Sequence, residues 1–274
     1  MPAMMPAMSG ATSTRGRLHA GRHVLVTGAG TGIGRAIAVR TASEGASLTL
    51  AARRVELLEE TAGLCREAGA GDVGVAACDI RDRPSVDAVV DAAAHARGPF
   101  FACVANAGVG GPNEPGESDR FDDIVATNLG GTYSTLRAVQ RNLADGPDAR
   151  HMVVIASILG RFGVPGYTGY CASKTALIGL ARAFAMELAG ENVQVNAVCP
   201  GWVATDMAWE GIDGMAAAMG TDRDGAYAVA MQEVPLGRMS QPKHIAGLVS
   251  WLLSEDATGV TGQGLDMNNG AYMA

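Results

Sequence analysis

Tyr170 and Lys174 stand four residues apart in Tyr170-Cys171-Ala172-Ser173-Lys174, and Ser157 lies thirteen residues upstream. On a helix, positions i and i+4 share a face, so this phenol and ammonium can occupy one pocket. A free phenol titrates at about 10, and a neighbouring ammonium favours the phenolate. Such a pair could exchange a proton with a substrate near neutral pH. The same spacing also describes an ordinary surface pair, so the rest of the chain has to decide between the two readings.

A second set of residues suits phosphate. The segment Thr27-Gly28-Ala29-Gly30-Thr31-Gly32-Ile33-Gly34 follows an apolar run and opens a helical pattern. Glycines allow backbone N–H groups to approach a pyrophosphate, and the helix start adds a favourable dipole. The informative spacing is Gly28-x-x-x-Gly32-x-Gly34. Gly28 and Gly30 only superficially imitate the commoner Gly-x-Gly-x-x-Gly arrangement.

The elements that must position these residues form an alternating series. Strand-like runs are expected at His23–Thr27, Leu48–Ala51, Val73–Ala77, Phe101–Val104, Met152–Ile155, Val193–Val198 and Gly264–Met267. Helices are expected over Gly34–Glu44, through Glu56, Leu57 and Leu64, and near Ser85–Ala94. Apolar runs without polar alternation, separated by helices, imply a parallel sheet covered on both faces. The expected fold class is α/β: a single Rossmann-type, doubly wound parallel sheet of about seven strands. Residues 21–274 are expected to form one domain. Residues 1–20, rich in Met, Ala and Pro, read as a disordered leader without the apolar core of a secretory signal. The stretch 202–235 carries Trp202, Trp209 and several Met but few strand signals, and reads as a mobile lid over a site.

Composition narrows the function classes. The chain has 274 residues, 48% hydrophobic and 18% charged, with net charge −7 and no basic block. Nucleic-acid binding therefore lacks its electrostatic footprint. No uninterrupted apolar stretch reaches about 18 residues, so no membrane span is expected. Cys65, Cys78, Cys103, Cys171 and Cys199 are odd in number and widely spaced. They read as reduced thiols rather than a disulfide framework, and no metal site is expected.

Taken together, the chain resembles the short-chain dehydrogenases/reductases from His23 to about Gly270. Thr27-Gly28-x-x-x-Gly32-x-Gly34 resembles the family's cofactor motif. Asn106-Ala107-Gly108 matches its Asn-Ala-Gly motif, with Ala105 where Asn is common. Asn128, Ser157, Tyr170 and Lys174 match its catalytic tetrad, and Pro200-Gly201 its Pro-Gly motif. The resemblance implies that Tyr170 is the acid for carbonyl reduction and the base for alcohol oxidation. It further implies that Ser157 orients the substrate oxygen. Lys174 would lower the Tyr170 pKa and bind the nicotinamide ribose, and Asn128 would hold a relay water. Gly28, Thr31, Gly32, Ile33, Gly34, Asp79, Ile80, Asn106, Ala107, Gly108, Pro200, Gly201, Val203 and Thr205 are the further cofactor positions it implies.

Ala52 stands where an acid would select NAD, and Arg53 where NADP-dependent members often carry a basic residue; Arg35 could assist. Thr31 stands where NADP-preferring relatives often carry a basic residue. NADP(H) is the expected cofactor, with NAD(H) the alternative. The expected substrate is an apolar or aromatic ketone or secondary alcohol, contacted by Leu159, Phe162, Tyr167, Trp202, Met207 and Trp209. Competing readings are an NAD-dependent secondary alcohol or 3-hydroxyacyl dehydrogenase, a non-catalytic dinucleotide sensor, and an epimerase or dehydratase on the related extended scaffold. The resemblance also implies a homotetramer, and the reduced thiols fit a cytoplasmic location. The apolar face Ile245, Leu248, Val249 and Leu252 fits either an interface or the core.

Overall fold

The computed structural model describes residues 18–273. Seven strands form one sheet: β1 His23–Thr27, β2 Ser47–Ala52, β3 Val73–Ala77, β4 Ala102–Ala105, β5 Arg150–Ile155, β6 Val193–Pro200 and β7 Gly264–Met267. They pair in the order β3-β2-β1-β4-β5-β6-β7, and every pairing is parallel. The order reverses between β1 and β4, where Val26 registers with Val104. Doubly wound sheets bind their ligands in the crevice beyond the strand ends at this reversal.

The helices are α1 Gly32–Ser43, α2 Val55–Ala68, α3 Arg83–Arg97, α4 Phe121–Val125, α5 Thr132–Gln140, α6 Thr168–Leu188, α7 Asp206–Met219, α8 Arg223–Gln232 and α9 Pro242–Leu252. Helices α1, α2 and α9 cover one face of the sheet, burying Val24, Val26, Ile37, Leu50, Leu58 and Val249. Helices α3, α5 and α6 cover the other, burying Leu25, Val90, Leu136, Met152, Leu177 and Phe184. Val24 and Val26 on one face with Leu25 on the other is the period-two alternation of a strand buried from both sides.

Three regions differ from their sequence expectation. The stretch 202–235 is not irregular: it holds two capped helices. Thr205 Oγ1 accepts from Ala208 N–H at 3.4 Å and Asp222 Oδ1 from Gly225 N–H at 2.8 Å. Ile212, Ala216, Ala226, Ala230, Met231, Val234 and Met239 give these helices a small core of their own. Gly211, Gly214 and Gly225 hid the pattern, because glycine weakens the helical signal. Strand β5 starts at Arg150, two residues before its apolar run. The Arg150 guanidinium reaches the Gly146, Asp148 and Glu191 carbonyls, which offsets the burial of its charge. At the start of the chain, residues 1–17 of the expected leader lie outside the described residues. His19 is fully buried, with Nε2 3.3 Å from Glu44, so the folded body takes in part of what reads as leader.

The apolar face of α9 is core: Ile245, Val249 and Leu252 are at most 1% exposed and pack on the α1 side of the sheet. Among the described residues no helix is long and apolar enough to cross a membrane. None of the described His, Cys, Asp or Glu residues gather in a group able to hold a metal ion. All five cysteines carry free thiols.

Candidate active site

The sheet reversal brings two loops together. Gly28 has φ +65, and a Cβ there would lie 2.8 Å from Ala107 Cα. Thr27 Oγ1 accepts from the N–H groups of Asn106 and Ala107, both at 3.1 Å. Asn106 Nδ2 donates to the carbonyls of Thr27 at 3.0 Å and Gly28 at 3.2 Å. The Asn-Ala-Gly segment thereby ties the end of β4 to the end of β1. A Cβ at Gly34 would run into the Gly28 carbonyl, and one at Gly32 would lie 3.1 Å from Thr205 Cγ2. Glycine is required here by close approach of backbone to backbone.

Helix α1 begins directly after this loop, with Thr31 at its N-cap and no side chain bonded to its first turn. The first N–H groups of a helix have no intrahelical partner. Together with the glycine cradle they fit the pyrophosphate of a dinucleotide. Val203 is buried, and Pro200 and Gly201 end β6 beside Asn268. Thr205 faces Gly32 from the opposite side.

The four tetrad positions converge at the C-terminal ends of β4, β5 and β6. Lys174 is 5% exposed. Its Nζ donates to the Ile155 carbonyl at 2.8 Å and lies 5.6 Å from the Tyr170 ring centre. Burial holds its pKa down from 10.5 to about 8, partly opposed by the Cys199 thiol. Burial raises the Tyr170 phenol above 10.0, and the Ser157 hydroxyl beside it acts in the opposite direction. The direction for Tyr170 is therefore set by burial rather than by the Lys174 charge expected to lower it.

Asn128 lies in a π turn, Ala126–Gly131, between α4 and α5; such turns widen a helix locally and recur at functional sites. Its Oδ1 accepts from Val109 N–H at 2.8 Å, and its Nδ2 donates to the Val109 carbonyl and to Ser173 Oγ. Ser173 in turn donates to the Tyr170 carbonyl at 2.9 Å. A Cβ at Gly108 would lie 2.9 Å from Asn128 Oδ1 and 3.6 Å from Lys174 Nζ. Gly108 therefore leaves room beside both groups.

At the far end of the crevice, Arg53 is exposed at the end of β2 and acts on the Asp79 carboxyl through space. The Asp79 carboxylate is held by Arg81, whose other nitrogen reaches Asp123 at 2.8 Å. Arg81, the strongest of these influences, holds the Asp79 pKa below its ordinary value. Ile80 packs into the space left by Gly131. Arg35 does not face the crevice's phosphate side freely: it donates to the Gly30 carbonyl and Thr61 and pairs with Glu60 at 3.0 Å. It braces the glycine loop from behind.

On the substrate side, half-buried Leu159 and Tyr167 flank the tetrad. Phe162 stacks on Tyr272 at 6.1 Å, and Met207 lies against Gly110. Trp202 and Trp209 belong to the packing around α7 and α8, where Trp209 stacks on Tyr227 at 5.7 Å. Sequence reasoning missed several supporting residues. Buried Asn113 bonds Thr168 and the Gly169 N–H, fixing the start of the helix that carries Tyr170. Gly160 abuts the Lys174 carbonyl. Arg161 follows the turn after Ser157 and bonds Asp266 and the Gly264 carbonyl. No local pattern marks these contacts, since each spans elements far apart in sequence.

Comparison with known proteins agrees with this geometry. A family model described as enoyl-(acyl carrier protein) reductase, of the short-chain dehydrogenase/reductase type, matches residues 28–272. A Streptomyces virginiae protein assigned as a ketoacyl reductase of the monensin polyketide synthase is 36% identical over 252 residues, covering 91% of this chain and 96% of that one. The 3-oxoacyl-(acyl-carrier-protein) reductase of Haemophilus influenzae is 32% identical, covering 93% and 99%. A crystal structure of a variant actinorhodin polyketide ketoreductase with NADPH superposes with TM-score 0.84 at 34% identity, covering 91% and 97%. The chain belongs to the short-chain dehydrogenase/reductase family, as an oxidoreductase that interconverts a ketone and a secondary alcohol with a nicotinamide dinucleotide.

Proposed function

We propose that the protein is an NADP(H)-dependent ketoreductase acting on an apolar or aromatic ketone, with Tyr170 as its proton donor. The observation that carries this reading is the convergence of Tyr170, Ser157 and Lys174 in one buried pocket, with Lys174 Nζ 5.6 Å from the phenol ring. A bound nicotinamide dinucleotide supplies the hydride. Tyr170 and Ser157 each direct a hydroxyl toward the carbonyl oxygen and stabilise the negative charge that builds there. The Tyr170 phenol gives its proton to that oxygen, and its raised pKa keeps it protonated through the neutral range. Lys174, held at about 8 by burial, is poised to return a proton to the phenol, since efficient relays titrate near the working pH. Asn128 holds the loop beside Lys174 open through Val109 and Ser173.

The glycine loop, Asn106-Ala107-Gly108 and the Pro200–Thr205 segment would hold the dinucleotide. Exposed Arg53, with no ion pair among the described residues, favours a 2′-phosphate and hence NADPH. Leu159, Phe162, Tyr167 and Met207 favour an apolar substrate. Ketoacyl and 3-oxoacyl names among the relatives make a 3-oxo compound the first candidate. Five free thiols suit a reducing compartment such as the cytoplasm, and the homotetramer implied by the family resemblance is testable by light scattering.

The experiment is a kcat/KM comparison of NADPH and NADH with ethyl acetoacetate and an aromatic ketone, with an enoyl thioester as control. The expected outcome is ketone reduction with NADPH preferred, and loss of about a thousandfold in Tyr170→Phe with dinucleotide affinity retained. Turnover of the enoyl compound alone, or near-normal ketone reduction by Tyr170→Phe, refutes the reading.

A further inference from the structure

Ser157 lies two residues past the end of β5, in extended backbone (φ −168, ψ 158), and caps the single turn Ile158–Gly160. Its Oγ accepts from the Leu159 N–H at 3.1 Å. Its carbonyl accepts from the Gly160 N–H at 2.9 Å, and the turn closes with Arg161 N–H on the Ile158 carbonyl at 2.8 Å. The direction of the Ser157 hydroxyl is therefore set by where this turn sits.

Two neighbouring positions hold the turn. The Cys199 thiol lies beside the Ser157 backbone. Asp266, the register partner of Cys199 on β7, accepts from Arg161 Nε at 3.1 Å. Arg161 Nη2 also donates to the Gly264 carbonyl at 2.7 Å. The pair lies at the edge of the sheet, with Asp266 an exposed residue and the two side chains 15% and 23% exposed. On the opposite side, a Cβ at Gly160 would lie 2.8 Å from the Lys174 carbonyl oxygen, and Thr175 Oγ1 bonds the Gly160 carbonyl. The turn is thus clamped between β7 and α6, and Arg161 is the only ionic link in that clamp among the described residues.

We infer that Arg161, oriented by Asp266, is a positioning residue for the Ser157 hydroxyl. The inference rests on the reading of Ser157 as the group that orients the substrate oxygen. With Arg161 removed, β7 releases one end of the turn, while the Cys199 contact and the Gly160 wedge remain. The hydroxyl then samples directions off the carbonyl oxygen. A displacement of about 1 Å at a reacting centre can cost about a hundredfold in rate. Dinucleotide binding, which uses the loops after β1, β4 and β6, is left unchanged.

The test measures single-turnover reduction of ethyl acetoacetate by NADPH, with KM, NADPH affinity and melting temperature, for Arg161→Gln, Asp266→Asn, the two together, Ser157→Ala, and Ser157→Ala with Arg161→Gln. Each of the first two is expected to slow reduction about ten- to a hundredfold with NADPH affinity unchanged. The pair together is expected to lose no more than either alone. On the Ser157→Ala background, Arg161→Gln is expected to remove nothing further from the residual rate; with Ser157 present, Arg161→Lys is expected to keep part of the rate that Arg161→Gln loses. An equal loss with and without Ser157, or a normal rate in Arg161→Gln, overturns the inference. Should Arg161→Gln not fold, Asp266→Asn on the two backgrounds decides the matter. A normal rate in Ser157→Ala would instead remove the underlying reading of Ser157, and the inference with it.

Discussion

Replacing Lys174 with methionine should change how stability depends on alkaline pH, in a direction and size the structure fixes. Lys174 is 5% exposed, and burial lowers its pKa from 10.5 to about 8. The unfolded chain keeps the ordinary value. Between pH 8 and 10.5 the unfolded chain therefore holds more protons than the folded one, and stability rises with pH across that window. Below pH 8 both states carry the charge, and the folded protein bears the whole penalty of burying it. The gap between about 8 and 10.5 corresponds to roughly 3 kcal/mol. Methionine has a similar stem and carries no charge, so the variant lacks this dependence. Loss of the bond to the Ile155 carbonyl costs the variant about 1–3 kcal/mol, but equally at every pH. Urea unfolding of both proteins without dinucleotide, at intervals from pH 7 to 10.5, checks the argument. The wild type should gain about 3 kcal/mol on the variant over that range, and ketone reduction by the variant should be lost. Parallel stability curves would refute the reasoning, because they would mean that the ammonium is solvated in the folded state.

Arg53→Glu should reverse the cofactor preference: a charge-assisted bond of about 1.5–3 kcal/mol to the 2′-phosphate is lost, which lowers kcat/KM for NADPH roughly ten- to a hundredfold, read against NADH. Gly160→Ala places a methyl 2.8 Å from the Lys174 carbonyl oxygen. It should cost about 1–3 kcal/mol in urea unfolding and lower kcat more than it raises KM; an unchanged kcat would contradict the wedge. On the proposed mechanism alcohol oxidation uses the Tyr170 phenolate, and burial raises that pKa above 10.0. Its rate, followed at the reduced-nicotinamide absorbance, should therefore climb through the alkaline range, whereas a plateau below pH 8 would place the base elsewhere.

Much of the site was legible because its pieces are local. The glycine spacing after β1 and the Tyr170/Lys174 pair each fall within a few residues, and backbone geometry alone confers their meaning. The strands were legible because burial on both faces demands unbroken apolar runs. Arg150 escaped this reading because a buried charge is tolerated once distant carbonyls accept its hydrogen bonds. Helices α7 and α8 escaped because their glycines lower local propensity while mutual packing restores the helix.

What the sequence determined by itself is the fold class, the glycine spacing after β1 and the pairing of a phenol with an ammonium on one helix face. Only the tertiary structure decided how those groups are held and charged. Arg35 is absorbed by Glu60 and Thr61, and Arg161 reaches Asp266 across more than a hundred residues of chain. Burial, not the neighbouring charge, sets the direction of the Tyr170 pKa. The reason is physical: bonding periodicity acts over a few residues, whereas desolvation and side-chain pairing depend on which distant elements the sheet brings together.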